Sequence, residues 1–120
     1  MKTIGAVWED AALAELVRRG LTPIVRNWHC RHGELDLVMR DRDGGVVFVE
    51  VRFRGDGMHG DGIESVAAAK RGKLVKTARE FLAAHPAFAR APCRFDIVAF
   101  SGGPHNPTFE WLQNAFDAGS

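Results

Sequence analysis

The sequence has few of the features that define several broad classes of protein. It contains no run of about eighteen apolar residues, the length that a membrane-spanning helix needs, and its first residues lack the pattern of a signal peptide. It has only two cysteines, Cys30 and Cys93, which are too few for a disulfide framework. We therefore expect reduced thiols and a cytoplasmic protein that does not enter a membrane.

Common enzyme motifs are also absent. The chain has no Walker loop, no G-x-S-x-G elbow and no G-x-G-x-x-G turn, so nothing in it indicates a nucleophilic hydrolase. Its net charge is only +1, so the overall charge gives no argument for a nucleic-acid partner. Between positions 70 and 94, however, Glu80 is the single acid among seven basic residues. These are Lys70, Arg71, Lys73, Lys76, Arg79, Arg90 and Arg94. They form either a surface for phosphates or the solvated side of a helix.

What is present is typical of one globular domain. The chain has 120 residues, of which 46% are hydrophobic and 26% charged. Periodicity predicts helices over 6–19 and 63–84, strands over 22–30, 33–38, 46–52, 94–100 and 108–112, and a flexible glycine-rich loop over 55–62. This order, α-β-β-β-α-β-(β), predicts a single α/β domain over residues 1–120, with a central mixed sheet of four to five strands flanked by helices. The long helix makes the third and fourth strands a candidate parallel pair.

The hairpin formed by the second and third strands is the most informative part of the chain. Both strands alternate apolar and polar side chains, as half-buried strands do. If the turn is centred on Asp43, Asp36 lies opposite Glu50 and Glu34 lies opposite Arg52. The face that lacks these charges then carries the aliphatic core, which consists of Leu35, Leu37, Met39, Val47, Val49 and Val51.

Two carboxylates at this spacing are unfavourable without a counter-charge. Directly opposed residues have Cβ atoms roughly 5 Å apart, and like charges there are destabilising. A hard divalent cation relieves this repulsion by binding both oxygen donors. The structural alternative is a solvated acidic strand face that is neutralised by Arg40, Arg52 and Arg54. The pattern alone leaves both interpretations open.

Two further charged residues lie where helix periodicity expects apolar ones. Glu9 shares the apolar stripe of the first helix with Leu13 and Leu16, although an acid in a first turn also complements the helix dipole. Lys70 shares a stripe of the long helix with Leu74, although a lysine in such a position often reaches out to solvent. An inward acid and an inward cation that both face a carboxylate-bearing sheet indicate one shared site.

Other polar residues have different interpretations. Asp96, on the fourth predicted strand, shares a strand face with Arg94 and Val98, and a pair between Asp96 and an arginine elsewhere would explain it. A zinc site is an alternative interpretation of the segment around Cys30 and His32, which share a strand face and which His59 or His85 would join. No second closely spaced pair of ligands exists in the sequence, so this pattern is weaker than that of known zinc motifs.

Blocks with a recognisable order and spacing run nearly from end to end of the chain. They are Glu9, Arg26-Asn27-Trp28, Gly33-Glu34-Leu35-Asp36-Leu37, Val47-Phe48-Val49-Glu50-Val51-Arg52, Ser65-Val66 with Lys70, Arg94-Phe95-Asp96-Ile97-Val98, and Trp111-Leu112-Gln113-Asn114-Ala115-Phe116. In this succession the chain resembles the YraN-like family of uncharacterised bacterial proteins. That family is similar to the restriction-endonuclease-like PD-(D/E)xK superfamily, and especially to archaeal Holliday junction resolvases. The resemblance implies a restriction-endonuclease-like fold, a divalent-metal site and phosphodiester cleavage.

The resemblance also assigns roles to individual positions. Asp36 matches the aspartate of the motif and Glu50 its second acid. Glu9 matches the helical acid that completes the shell of a metal ion, for which we expect Mg²⁺ or Mn²⁺. The backbone carbonyl of Val51 is a further candidate ligand.

Two positions depart from the superfamily pattern. Arg52 stands where a lysine is typical, and Trp8 stands where a glycine is expected before the helical acid. An arginine stabilises the charge of a transition state but cannot act as a general base, because its pKa exceeds about 12. Lys70 is the candidate that replaces the lysine from the helix, so we predict both Arg52 and Lys70 as catalytic residues. Otherwise the site binds its ligand without cutting it.

The resulting prediction is a divalent-metal-dependent endonuclease that cleaves branched or structured DNA and, by analogy with resolvases, acts as a homodimer. Arg54, Arg71 and Lys73 are the predicted contacts to nucleic acid. One alternative is a nucleic-acid- or protein-binding module that keeps the nuclease fold without catalysis. A second alternative is a purely structural partner protein.

Overall fold

The computed structural model of the protein describes residues 3–54, 68–102 and 106–117, and of Arg54 and Ala68 it describes only the backbone. Its elements are α1 (Ile4–Arg18), β1 (Thr22–Cys30), β2 (Gly33–Arg40), β3 (Val46–Arg54), α2 (Ala68–Ala84), a short 3₁₀ helix (Pro86–Phe88), β4 (Cys93–Ser101) and β5 (Thr108–Phe116). Within these ranges no helix is long and apolar enough to span a lipid bilayer.

The order of the elements confirms the predicted α/β fold. All five strands form one sheet in the order β1-β2-β3-β4-β5. β3 and β4 are parallel and the other neighbouring strands are antiparallel, so the sheet is mixed. The parallel pair arises because α2 lies in the connection between β3 and β4, as in other crossover units. The predicted glycine-rich loop over 55–62 and the predicted helical residues 63–67 lie outside the described residues.

The hairpin of β2 and β3 has the predicted register. Arg40 lies opposite Val46 and Leu37 lies opposite Val49, so the turn is centred on Asp43. The ladder between the two strands ends at the pair formed by Leu37 and Val49. If this register continued by one residue, Asp36 would lie opposite Glu50, as predicted. The pairing of the two strands ends just before that position.

Buried hydrophobic residues cover both faces of the sheet. On the face against α2 they are Leu35, Val38, Val46, Phe48, Leu74, Val75, Ala78, Phe81, Phe95, Ile97 and Phe116. On the face against α1 they are Ala12, Leu16, Leu21, Leu37, Met39, Val47, Val49, Val98 and Phe100. The prediction that one strand face of the hairpin lacks an apolar core is therefore wrong, because the face that carries Val38, Phe48 and Glu50 has one as well. α2 covers that face, because a crossover helix packs its apolar side onto the sheet it connects.

Leu35 also departs from its predicted face. It packs in the cluster on the α2 side, whereas Leu37 and Met39 pack on the α1 side. Beyond the end of the β2–β3 ladder, Leu35 pairs with Trp28 of β1. Trp28 in turn packs edge-on against Phe81 of α2, with ring centroids 5.3 Å apart. Pairing with β1 thus directs this end of β2 towards α2.

Capping interactions define both ends of α1. The Thr3 hydroxyl accepts a hydrogen bond from the Ala6 N–H at 3.2 Å, which is the usual role of an N-cap threonine. After the helix, Gly20 has a φ of 107°, and the Leu21 N–H donates to the Leu16 carbonyl at 3.1 Å. A glycine in the left-handed region is the common way to end a helix. These caps hold α1 over its face of the sheet.

The last strand is longer than the sequence predicts. β5 extends to Phe116, which is buried, so the predicted end of this strand at residue 112 is wrong. Asn114 takes a left-handed φ of 53° within the strand, and its N–H donates to Asp96 at 2.9 Å. A bulge of this kind keeps a strand paired even though its apolar–polar alternation is interrupted.

Asp96 is a structural acid. It is 1% exposed, and it accepts hydrogen bonds from Arg94 Nε at 3.0 Å and from Trp111 Nε1 at 2.9 Å. Arg94 also pairs with Asp41. Pairing with an arginine therefore accounts for Asp96, and Arg94 is not free to contribute to the predicted basic surface.

Candidate active site at the end of the β2–β3 ladder

A cavity of about 710 Å³ opens where the β2–β3 ladder ends. Residues of α1, β2, β3 and α2 form its walls. Five of the residues with a predicted role in the metal site or in catalysis line it, namely Glu9, Asp36, Glu50, Val51 and Lys70. The structure thus brings the helical acid, both strand acids and the helical cation to one place.

The backbone of the neighbouring strand holds Asp36. Its Oδ2 accepts a hydrogen bond from the Val51 N–H at 2.9 Å. Along an antiparallel ladder, every second residue directs its N–H and C=O towards the partner strand. The Val51 N–H points towards β2, and if the ladder continued, its acceptor would be the carbonyl of Leu35. Because the ladder has ended, the side chain of Asp36 takes the place of a main-chain carbonyl. The bond fixes the carboxylate and also satisfies a partly buried amide.

The surroundings of Asp36 disfavour its charged form. Burial is the largest cause, followed by repulsion from the Glu50 carboxylate and a hydrogen bond with it, and together they raise the pKa of Asp36 from 3.8 to about 8. The Val51 N–H lowers this pKa and the Glu9 carboxylate raises it, both to a smaller extent. In the absence of a cation the carboxyl group of Asp36 therefore keeps its proton to a higher pH than an ordinary aspartate does.

Glu50 is the more buried member of the acid pair. It is 6% exposed and forms an ion pair with Nζ of Lys70. The Lys70 side chain is 55% exposed, so it spans from solvent to the buried acid. A buried carboxylate without such a partner would be strongly unfavourable. Lys70 therefore both enters the site, as its helix position predicts, and keeps contact with water.

Glu9 reaches the same cavity from α1. Its Oε1 lies 3.5 Å from Nη2 of Arg26 on β1, and the same guanidinium donates to Oδ1 of Asp10 at 2.6 Å. Arg26 is thus the partner that an inward-facing acid requires. The Glu9 carboxylate still acts on the neighbouring acid, because it raises the pKa of Asp36 to a small extent.

The other predicted basic residues have different positions. Lys73 is exposed and lines the cavity. Arg52 and Arg71 are half-buried, and neither belongs to the part of the cavity wall that the described residues form. The side chain of Arg54 lies outside the described residues. Lys70 and Lys73, at i and i+3 on α2, are therefore the cations of the described wall.

The donors at this site are of the type that a hard divalent cation prefers. Asp36 and Glu50 offer carboxylate oxygens, and Val51 offers a main-chain carbonyl. The raised pKa of Asp36 reflects a repulsion that such a cation would remove. In the part of the chain that the structure covers, no three His, Cys, Asp or Glu side chains form a group that could hold a metal ion as they stand. Binding through all three acids would therefore require their side chains to move closer together.

The residues of the zinc alternative take part in local structure. Nε2 of His32 lies 3.4 Å from Glu80 Oε1, and the His32 N–H donates to the sulfur of Cys30 at 3.4 Å. Nδ1 of His85 lies 2.8 Å from the Phe81 carbonyl oxygen. As far as the described residues go, these side chains form no group for a metal ion, and His59 lies outside them. The zinc interpretation therefore finds no support.

The cavity also has an aromatic wall that the sequence patterns do not reveal. Trp8 of α1 stacks on Phe53 of β3, with ring centroids 4.6 Å apart and planes inclined by 21°. Trp8 also lies 4.8 Å from Phe100, so it fills the space between α1 and the sheet. This packing accounts for the large side chain at position 8, where the resemblance led us to expect a glycine. The alternation of side chains along β3 predicts that Phe53 lies on the α1 face. Its exposure to the cavity depends on where the pairing of β2 with β3 ends, which the sequence does not show.

Together, the fold and the site define a single-domain α/β protein with an acid-lined cavity in a mixed sheet. The chain belongs to the uncharacterised protein family UPF0102, whose model matches residues 8–100, and this confirms the resemblance to YraN-like proteins. A UPF0102 protein of Ectopseudomonas mendocina is 52% identical over 115 residues, which cover 96% of this chain and 95% of the relative. A UPF0102 protein of Xanthomonas campestris pv. campestris is 53% identical over 112 residues, which cover 93% of this chain and 89% of the relative.

Two solved structures resemble parts of this chain. A repair endonuclease from Pyrococcus abyssi is 21% identical with a TM-score of 0.42, over 87% of this chain and 41% of that protein. The complex of EndoMS with double-stranded DNA is 17% identical with a TM-score of 0.36, over 79% of this chain and 36% of the other. This chain thus spans less than half the length of either protein. A likeness at this level carries no argument about activity.

Proposed function

We propose that the protein is a divalent-metal-dependent nuclease that cleaves phosphodiester bonds in branched or structured DNA. The observation that carries this proposal is the convergence of Asp36, Glu50 and Glu9 on one cavity, where burial and Glu50 raise the pKa of Asp36. A sheet that needed these acids only for stability would not set two of them side by side in a buried position. Perturbed carboxylates in a cavity are typical of functional sites.

In this proposal Asp36 and Glu50 hold Mg²⁺ or Mn²⁺, with the Val51 carbonyl and Glu9 as further donors. When bound, the ion supplies positive charge at the scissile phosphate and lowers the pKa of water. The Val51 N–H keeps the carboxylate of Asp36 oriented towards the cavity, so less rearrangement is needed when a ligand enters.

The lysines of α2 supply fixed positive charge in this proposal. Lys70 balances the charge of Glu50, and its exposed ammonium group is available to a phosphate oxygen. Arg52 is half-buried and does not line the described cavity wall. We therefore assign to Lys70, rather than to Arg52, the stabilisation of the transition state that a motif lysine would provide.

Metal binding is tested by calorimetric titration with Mn²⁺. Wild type is expected to bind the ion, and Asp36→Asn, which keeps the shape of the side chain but removes its charge, is expected to lose binding. Glu15→Gln is the control, because Glu15 pairs with Arg18 on the exposed side of α1. Equal affinity in wild type and Asp36→Asn would rule out the metal site.

Cleavage is tested on four-way junction, flap and single-stranded DNA substrates with Mg²⁺ or Mn²⁺. We expect wild type to cut at least one of the branched substrates, and we expect Glu50→Gln and Lys70→Met to lower the rate by about a hundredfold or more. The Glu15→Gln control should retain the wild-type rate. Undiminished cleavage by Glu50→Gln would indicate a contaminating nuclease or a different site.

A non-catalytic nucleic-acid-binding module is the second candidate. It is favoured by the position of Arg52, away from the described cavity wall, where the superfamily uses a lysine. This function predicts salt-sensitive association with DNA and no metal-dependent cleavage. The cleavage assay separates the two candidates, because only the nuclease converts substrate to product.

We also propose that the protein acts in the cytoplasm as a homodimer. Its two cysteines are free thiols, which suits a reducing compartment. The dimer rests on analogy with resolvases alone. Analytical ultracentrifugation at micromolar concentration tests it, and a single species with the mass of one chain, with and without junction DNA, would refute it.

A further inference from the structure

On its α1 side the cavity has a surface that the proposed chemistry does not use. This surface, which we call the aromatic shelf, consists of the stacked rings of Trp8 and Phe53, and both residues line the cavity. Phe53 is 43% exposed although it is large and apolar. The buried ring of Phe100 supports Trp8 from behind. The shelf is therefore a flat, accessible aromatic surface with firm support.

The wall on the α2 side has a complementary character. Lys70 and Lys73 line it, and both are exposed. A flat apolar surface on one side and ammonium groups on the other match the two parts of a nucleotide, its planar base and its anionic phosphate. The volume of about 710 Å³ lies within the range of roughly 300–1,000 Å³ that is usual for small-molecule sites. A base and its phosphate can therefore enter together.

The acids between the two walls disfavour an apolar occupant. Asp36 and Glu50 line the same cavity as the shelf. An apolar peptide segment or a lipid chain would remove Asp36, the ion pair of Glu50 with Lys70, and Lys73 from water without offering them any polar contact, which is costly. A nucleotide gives the lysines a phosphate partner and offers the shelf an apolar face.

We propose that the aromatic shelf stacks an unpaired base of a DNA strand whose phosphate lies towards Lys70 and Lys73. This inference rests on the proposed nuclease function and deepens it, because it names the part of a branched substrate that enters the site, a single-stranded arm or gap. In an intact duplex both faces of a base are covered by its neighbours, so a base must leave the stack before it can reach the shelf. Duplex DNA without such a region is therefore a poor ligand.

Stacking is measured with a single-stranded oligonucleotide that carries 2-aminopurine, whose fluorescence falls when it stacks on an aromatic ring. The titrations are done in EDTA, so that neither metal nor cleavage affects the result. Wild type is expected to quench the probe. Phe53→Ala is expected to bind about fivefold to a hundredfold more weakly and to lose the quenching. Phe53→Tyr keeps the ring and should behave as wild type does.

Matched variants separate stacking from other effects. Phe53→Leu keeps an apolar side chain without a ring and should resemble Phe53→Ala, whereas wild-type binding by Phe53→Leu would overturn the proposal. Leu112→Ala removes another exposed apolar side chain, one that lies on β5, and should bind as wild type does. Unchanged affinity and quenching in Phe53→Ala would refute the shelf. Tighter binding of a single-stranded RNA of the same sequence would overturn the assignment to DNA.

The two proposals fail separately. If Phe53→Ala has no effect in EDTA while Glu50→Gln abolishes cleavage, the shelf is refuted and the nuclease remains. If wild type quenches the probe but cuts no substrate with Mg²⁺ or Mn²⁺, the nuclease is refuted while single-stranded binding remains. Thermal unfolding of each variant shows that a loss of binding does not come from a loss of fold.

Discussion

Replacing Asp36 by asparagine is expected to stabilise the metal-free protein at neutral and alkaline pH. The pKa of Asp36 rises from 3.8 to about 8 in the folded protein, because burial and Glu50 disfavour its charge. Between these two values the folded protein holds a proton that the unfolded chain has released. The free energy of unfolding of wild type therefore falls as the pH rises from 3.8 towards 8. Asparagine has no such dependence, and its side-chain oxygen still accepts the Val51 N–H.

The size of the effect follows from the shift. One pKa unit corresponds to about 1.36 kcal/mol, so a rise from 3.8 to about 8 sets an upper bound of about 5–6 kcal/mol. Relaxation of Glu50 and Lys70, and water in the open cavity, reduce the cost of charging Asp36. We therefore expect Asp36→Asn to gain about 2 kcal/mol at pH 9 and almost nothing at pH 4.

Urea unfolding of both proteins in EDTA, from pH 4 to pH 9, measures this gain, and the comparison cancels the titration of groups that both proteins share. Asp41→Asn is a control of opposite sign, because the Arg42 N–H and Arg94 lower the pKa of Asp41. Its loss should destabilise the protein over this whole pH range, because the lowered pKa of Asp41 lies below it. A gain for Asp36→Asn that is absent at pH 9, or that shrinks as the pH rises, would refute the reasoning.

Three other substitutions test the packing around the site. Phe81→Ala should lower the free energy of unfolding by about 3–5 kcal/mol, because the ring is fully buried, and an unchanged urea midpoint would contradict this. Asp96→Ala should cost about 3 kcal/mol or more, because it leaves the N–H groups of Trp111 and Asn114 without their acceptor and removes one of the two acidic partners of Arg94. Stability of Asp96→Ala close to that of wild type would show that these donors find water instead. Gly20→Ala should cost about 1 kcal/mol or more, because φ is 107° there, and an unchanged melting temperature would argue against it.

The hairpin is the part of the fold that the sequence predicts most closely. Its register follows from short-range features, the alternation of side chains and a glycine turn around Asp43, and the structure has the register that they predict. The burial of the face that carries Val38 and Phe48 is different, because it depends on a helix that comes later in the chain. The near-continuous apolar run that includes Val38 and Phe48 is the available signal, since strands buried on both faces read in this way.

The candidate site was predictable in its residues and less so in its environment. Helix periodicity places Glu9 and Lys70 on inward positions, and both line the cavity. The raised pKa of Asp36 depends on its burial and on the point at which the pairing of β2 with β3 ends. The periodicity of the sequence predicts neither of these. The same is true of the aromatic shelf, because Trp8 and Phe53 are far apart in sequence and meet only through the packing of α1 on β3.

The hydrogen bond from the Val51 N–H gives the carboxyl group at position 36 an architectural task besides any chemical one. An amide or an acid at this position would be favoured simply because its oxygen accepts the hydrogen bond of a main-chain N–H where β2 and β3 separate. Its retention in a distant relative would therefore not by itself reveal an enzyme. Position 50 is more informative. A relative that keeps the acid at position 36 but has lost the acid at position 50 would preserve the hydrogen bond between the two strands without a catalytic site.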